Sequence, residues 1–211
     1  MDNTFEPSYT DIARDLIKKC DNMLKETDWK TELKAKDDNY TLLESKQYGG
    51  YNLPHYRALT FVDLPKETVI GLVWNTEDTK TAQIDDPNIT FLQVLDKSAN
   101  YKIRQQVNQL RSPIWPRETV FYQERVEQGD TTYLIGFSIN HPLAPLRKTE
   151  VVRTNVAMSV YKYTSITPNK TKVERIANVD PCGWIPTFAI KAQVGKLVNA
   201  FNRWVLLGMK Q

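Results

Sequence analysis

The sequence predicts an α+β fold in which a helix near each end flanks a long antiparallel sheet. Two observations carry that prediction. Apolar residues recur at helical spacing near the start and at the end of the chain, and between these stretches lie β-branched and aromatic runs punctuated by Gly, Pro, Asn and Asp. The terminal stretch is the more telling: Ile190, Val194, Leu197, Phe201 and Trp204 follow at steps of four, three, four and three. Such a stripe needs a broad apolar surface to cover it, and the sheet is the only candidate.

Asp11 to Met23 reads as the leading amphipathic helix. Ile12, Leu16, Cys20 and Met23 form one stripe with Ala13, Ile17 and Leu24 beside it, and Ser8 or Thr10 is available as N-cap. From Trp29 to Asp63 the period shortens. Tyr40–Leu43 and Tyr56–Val62 read as strands, separated by the turn signal Gly49-Gly50. Leu64-Pro65-Lys66-Glu67 then opens a short helix running to Trp74, with proline in its first turn. Asn75–Asn88 is polar and has room for one more helical turn. Strand-like runs follow at Ile89–Leu95, Tyr101–Leu110, Thr119–Glu127, Thr131–Asn140, Val151–Ile166 and Lys172–Val179, and a closing helix spans about Ile185 to Leu207. No repeat or linker divides the 211 residues, so a single domain over 1–211 is expected, long enough to bury a core and an internal cavity.

A hydrophobic content of 41% with 25% charged residues excludes a disordered chain. Lys and Arg number 28 against 25 Asp and Glu, without a basic run, so nucleic acid is not a predicted partner. The small basic excess suits an anionic membrane surface, where each Lys or Arg is worth on the order of 1 kcal/mol. Cys20 and Cys182 have neither disulfide-framework nor metal-ligand spacing and read as free thiols of a cytosolic protein. The acidic start, Met1-Asp2-Asn3, lacks the features of a signal peptide, and no window holds the roughly 18 apolar residues of a membrane span. The sequons at Asn39, Asn88 and Asn169 matter only on a secretory route.

The segment Trp115–Trp184 carries linked motifs: W-P-R-E-T-V-F-Y-Q-E-R from Trp115, F-S-I-N-H-P-L-A-P from Phe137, V-V-R-T-N-V-A-M-S-V from Val151 and R-I-A-N-V-D-P-C-G-W-I-P from Arg175. Their order and spacing resemble the START domain, the steroidogenic-acute-regulatory-related lipid-transfer module, and within it the ceramide-transfer type most closely. The match is strong from Trp115 to the C-terminus, collinear from Ile89 to Leu110 and one of element order before that. It implies a helix-grip fold, in which a long curved antiparallel sheet with an N-terminal helix and two short internal helices is closed by a C-terminal helix over an apolar tunnel for one lipid.

The resemblance also distributes roles. Arg117, Glu118, Arg153 and Asp180 become scaffold, pairing at strand ends. Cys182 stands where the family has glycine, which is tolerable if that residue does not need φ > 0. Phe121 points into the tunnel, and by strand alternation so do Thr119 and Gln123. Gln109 matches a glutamine that bonds a ceramide head, with a solvent-facing strand glutamine as the alternative, and Gln83 aligns with an acidic head-group contact. Gln123 occupies a position where sterol-binding members carry arginine, which argues against a sterol-type ion pair. Gly136 and Arg175 replace an asparagine and a tyrosine of the ceramide type. An inward Arg175 needs an anion, either a lipid phosphate or a carboxylate such as Glu124 or Glu174, unless it lies exposed at a strand end. Trp115 and Trp184 match tryptophans at the tunnel mouth, where an amphipathic ring suits a bilayer interface; the alternative is that both cap the final helix from the core.

An enzyme reading finds no G-x-S-x-G, no H-E-x-x-H, no phosphate loop and no Cys/His cluster, and His141 reads as structural. Neither a catalytic residue nor a metal nor a cofactor is predicted. The expectation is a monomer, cytoplasmic and peripheral to membranes, that carries one phospholipid or ceramide-like sphingolipid and touches a membrane surface transiently. A lipid-sensing module that gates a protein partner is the alternative, and a helix-grip enzyme acting on a bound lipid is the more distant one.

Overall fold

The computed structural model describes residues 8–34, 41–110, 112–146, 150–185 and 199–209. In chain order the elements are α1 (Tyr9–Lys25), β1 (Lys30–Lys34), β2 (Leu42–Lys46), β3 (His55–Val62), α2 (Lys66–Trp74), α3 (Thr79–Asp85), β4 (Ile89–Lys97), β5 (Tyr101–Asn108), β6 (Arg117–Gln128), β7 (Thr131–Ser138), β8 (Val152–Arg153), β9 (Asn155–Thr167) and β10 (Lys170–Asp180). A last helix, α4, covers 199–208. The strands form one long curved sheet in the order β1-β2-β3-β10-β9-β7-β6-β5-β4, with the short β8 lying parallel to β6. Apart from β8 the pairing is antiparallel, which gives the predicted α+β class.

Most neighbours in this sheet are neighbours in sequence, joined by tight turns such as Gly129-Asp130, where Gly129 takes φ 59°. The exception fixes the fold. β10 pairs with β3 from Thr171↔Val62 to Ala177↔Tyr56, joining the N-terminal strands to the end of the meander. Strand alternation then sorts side chains onto two faces, and both are covered.

On the outer face lies α1, N-capped by Ser8, whose hydroxyl accepts from the Asp11 N–H at 3.2 Å. Its buried line is Ala13, Ile17, Cys20 and Met23, one step round from the predicted stripe, with Ile12, Leu16 and Leu24 packed at its edges. These meet Ile103, Tyr122, Ile135, Phe137, Val160 and Ile176. Asp21 clamps the helix down by accepting from Lys162 Nζ at 2.6 Å and Tyr133 Oη at 3.0 Å. Burial pushes the Cys20 thiol up to about 12, so it stays protonated, and both cysteines are free.

The inner face is covered by α2 and α4, whose Val69, Ile70, Phe201 and Trp204 pack with Ala58, Leu134, Tyr163 and Val173. Gly208 brings α4 against the turn after β3: a Cβ there would lie 3.0 Å from the Asp63 carbonyl oxygen. Ile190, Val194 and Leu197 of the predicted stripe lie outside the described residues.

Three expectations are corrected. Tyr101–Leu110 ends as a strand at Asn108, because Gln109 turns away to donate its N–H to the Asn88 carbonyl. Val151–Ile166 is two strands, β8 against β6 and β9 against β7 and β10. Cys182 does adopt φ 54°, the left-handed conformation that its family glycine accommodates without strain.

Candidate functional site

Continuous register from β5 to β10 defines the inner-face side chains. Arg104 is opposite Phe121, Lys102 opposite Gln123, Gln123 opposite Gly136, Gly136 opposite Ser159 and Tyr161 opposite Arg175. Phe121, Gln123, Gly136 and Arg175 thus share one surface beneath α2 and α4. Gly136 keeps it open, since its nearest side-chain neighbour for a Cβ would be Phe121 at 3.7 Å.

The floor of this surface is aromatic. Tyr161 stacks on Tyr163 with ring centroids 5.8 Å apart, and lies 6.4 Å from Phe201 and 6.3 Å from Trp204. Two guanidinium groups are set into it. Arg175 sits 4.7 Å over the Tyr161 ring and donates to Ser159 Oγ at 3.1 Å. Arg104, only 4% exposed, lies 5.0 Å over the Phe121 ring, donates to the Thr76 carbonyl at 2.7 Å and to Gln123 Oε1. Burial pulls Arg104 down to about 10, which leaves it protonated at neutral pH.

Neither carboxylate offered as a partner for Arg175 reaches it. Glu174 alternates to the outer face and pairs with Lys172 at 2.8 Å, and Glu124 accepts there from Tyr122 Oη at 2.8 Å. Among the described residues, Arg104 Nε, Arg175 Nε, Tyr163 Oη and Trp204 Nε1 are buried on the inner side without a hydrogen-bond partner.

At one end of the sheet, Arg117 gathers two loops. It donates to the carbonyls of Trp115 at 2.6 Å, Pro181 at 2.8 Å and Cys182 at 3.0 Å. This draws together Trp115, 50% exposed, and Trp184, 76% exposed. Neither is a fully buried core residue. Beside them Arg153 donates to Glu118 Oε2 at 2.7 Å and to the Ala144 carbonyl at 2.9 Å, holding the 141–145 loop on the sheet. His141 closes that loop as an acceptor from the Leu143 N–H at 3.3 Å.

Two predicted contacts are not brought to the inner face. Gln109 is exposed beyond the end of β5, with its side chain donating to the Leu110 carbonyl at 3.0 Å. Gln83 is exposed on α3 and donates to the Ile89 carbonyl at 2.8 Å. Their amides are occupied locally, because each sits at an element end that leaves backbone carbonyls to satisfy. Sequence reasoning missed Arg104, Tyr161 and Tyr163. Their signal was available in the alternation of Lys102, Arg104 and Gln106 with Ile103 and Val107, and of Tyr161 and Tyr163 with Val160. An open cleft of about 560 Å³, lined by Phe91, Gln93, Gln105, Val107 and Leu143 among others, lies on the outer face and is separate from this surface.

The START domain family model matches residues 11–208, nearly the whole chain. The chain belongs to the START domain family. Among characterised proteins, this START domain is 26% identical over 194 residues to the mitochondrial steroidogenic acute regulatory protein of Salvelinus fontinalis, covering 87% of the chain and 64% of that protein. The Danio rerio protein of the same name is 25% identical, over 86% of the chain and again 64% of the relative. The chain thus spans just under two thirds of the length of the curated relatives it matches. Among solved structures, human StAR-related lipid transfer protein 5 superposes with a TM-score of 0.78 at 17% identity, covering 96% of both chains. Human STARD10 gives 0.75 at 18% identity, over 95% of this START domain and 80% of that chain. At such identities the structures establish the helix-grip fold. No helix among the described residues is long and apolar enough to cross a membrane.

Proposed function

We propose that this START domain acts as a monomer that takes one lipid, a phospholipid or ceramide-like sphingolipid, from a membrane, shields it beneath α4 and releases it at a second membrane. The observation that carries this reading is the inner face itself: an aromatic and aliphatic wall with a few buried polar groups set into it, covered by helices, in a chain of this family. Carriage needs such a wall. Two acyl chains hold on the order of 30 methylenes at about 0.8 kcal/mol each, so unaided desorption into water is prohibitively slow.

Trp115 and Trp184 supply the membrane contact, transient and peripheral, on the cytoplasmic side. Gln123 bonds Arg104 on the inner face, where the sterol-binding pattern has an arginine in its place. This favours a polar-headed lipid over a sterol. The ceramide type has less support than a phospholipid, because Gln109 and Gln83 stand away from the inner face and Arg175 stands on it. No pair among the described residues of the site has the geometry of nucleophile and base, so carriage is preferred to lipid turnover.

Native mass spectrometry of the purified protein, followed by lipid extraction and a vesicle-to-vesicle transfer assay, tests the proposal. One-to-one loading with a phospholipid or sphingolipid and measurable transfer is the expected result. Sterol as the sole cargo would overturn the lipid class, and tight loading without transfer would make the domain a lipid sensor.

A further inference from the structure

The cationic groups on the inner face exceed what the protein supplies to neutralise them. On strands β5, β6, β7, β9 and β10 the inward positions include Lys102, Arg104, Arg125 and Arg175, against a single carboxylate, Glu127. Lys102 is answered by Glu77 at 2.5 Å, and Arg125 by Glu67 at 2.9 Å and Glu127 at 2.6 Å. Arg104 and Arg175 have no carboxylate within ion-pair distance among the described residues. Their Nε donors are buried and unmatched, and so is the hydroxyl of Tyr163, a residue 0% exposed.

These groups are neighbours. Arg175 lies over Tyr161, which stacks on Tyr163, and Tyr161 is also near enough to Arg104 to act on its charge, as is Glu77, whose carboxylate is bound by Lys97 and Lys102. A buried guanidinium without an anion is among the most unfavourable arrangements in a protein interior. Every unmatched atom here can donate and the two guanidinium nitrogens can do nothing else, so the missing partner is an acceptor, and with two guanidinium groups present it is an anionic one.

We infer that Arg104, Arg175 and Tyr163 form a subsite for an anionic oxygen group, phosphate or carboxylate, and that the preferred cargo is a lipid of net negative charge. This deepens the lipid-carriage reading and rests on it. A zwitterionic head adds a third cation to a face that already holds two unpaired ones, and a neutral ceramide leaves both unpaired. The face of Tyr161 that would hold a quaternary ammonium is already taken by Arg175. Ser159 and Gln123 hold the two guanidinium groups in place from the protein side.

The test is a loading competition read by native mass spectrometry. The full chain is incubated with vesicles containing equimolar phosphatidic acid, phosphatidylcholine and ceramide, and separately with oleate and with inorganic phosphate. The expected result is a preference for phosphatidic acid over each of the other two vesicle lipids on the order of tenfold, lost in Arg175→Gln and largely kept in Arg175→Lys. Oleate loading with the same dependence on Arg175 also supports the subsite and identifies carboxylate as an accepted group. Equal loading of the three vesicle lipids by the wild type overturns the inference while leaving lipid carriage intact, and this arm needs no variant to fold. Unchanged preference in a folded Arg175→Gln protein overturns it too. If no lipid loads, carriage fails instead. A thermal shift by inorganic phosphate that needs Arg175 would then support the subsite for a free anion, and no shift would overturn both.

Discussion

Replacing Trp115 by alanine separates membrane docking from folding. A tryptophan side chain presents about 200 Å² of burying surface, so at 50% and 76% exposure Trp115 and Trp184 leave roughly 100 and 150 Å² in water. At ~25 cal/mol per Å² full transfer to an apolar phase would bring about 2.5 and 4 kcal/mol. The headgroup interface is partly hydrated, and half of each value is a fair allowance. Trp115→Ala should then lower vesicle affinity on the order of tenfold, and the double variant with Trp184→Ala on the order of a hundredfold. The cost to folding is smaller than the 3–5 kcal/mol of a core tryptophan, about 1–2 kcal/mol, because half the ring is already wet. The assay pairs the transfer rate of a fluorescent lipid between vesicles with thermal denaturation of the same samples. Two results refute the reasoning: transfer per folded molecule that does not change, or a fall in stability of core size with vesicle binding intact.

Other expectations follow from single residues. Tyr163→Phe removes a buried hydroxyl that has no partner, so it should raise the stability of lipid-free protein by about 1 kcal/mol while weakening loading of anionic lipid; a loss of stability without a loss of loading refutes both halves. His55 is 0% exposed, neither of its ring nitrogens is hydrogen-bonded, and burial with the charge of Lys19 lowers it from 6.5 to about 4. Its stabilising contribution is therefore complete above pH 6.5 and is lost as pH falls towards 4, by about 1–3 kcal/mol, so His55→Phe should flatten the melting temperature across that window. Cys182 takes φ 54°, so Cys182→Gly should be neutral or stabilising and Cys182→Val should cost about 1–2 kcal/mol, compared by chemical denaturation. Gln109→Ala should leave lipid loading unchanged within twofold, because the side chain bonds the Leu110 carbonyl on the surface; weakened loading would return this residue to the site.

Much of the fold was legible because its causes are local. Ser8 caps α1, Pro65 precedes α2, and glycine or asparagine turns separate the strands, so each element end was written near the element it ends. The pairing of β3 with β10 was not legible, since the residues that meet there, such as Ala58 and Arg175, are far apart in sequence and neither carries a mark of the other. Register decides the site in the same way. That Phe121 and Gln123 share a face follows from spacing alone. That Arg104 stands opposite Phe121 requires the β5–β6 register. Gln109 and Gln83 were misplaced for the converse reason: they were assigned by position in a family pattern, while the backbone carbonyls of Leu110 and Ile89 claim their amides.

The alternation in β5 explains why the arginine on the inner face escaped notice. Ile103 and Val107 point one way, with Lys102, Arg104 and Gln106 the other, and the ordinary reading makes the first face core and the second face solvent. In this sheet both faces are covered, one by α1 and one by α2 and α4, so Lys102 and Arg104 are each only 4% exposed. Lys102 finds the Trp74 carbonyl at 2.6 Å and Glu77, and α2 and the segment after it serve as its counter-surface. Arg104 takes the Thr76 carbonyl and Gln123, and still leaves one donor without an acceptor. The helix stripe at the end of the chain is the feature that distinguishes the two readings: a chain with a long apolar helix still to place cannot leave that sheet face in water. Polar residues alternating on such a face are under the helix, and their unmet hydrogen bonds describe the head of whatever molecule completes the interior.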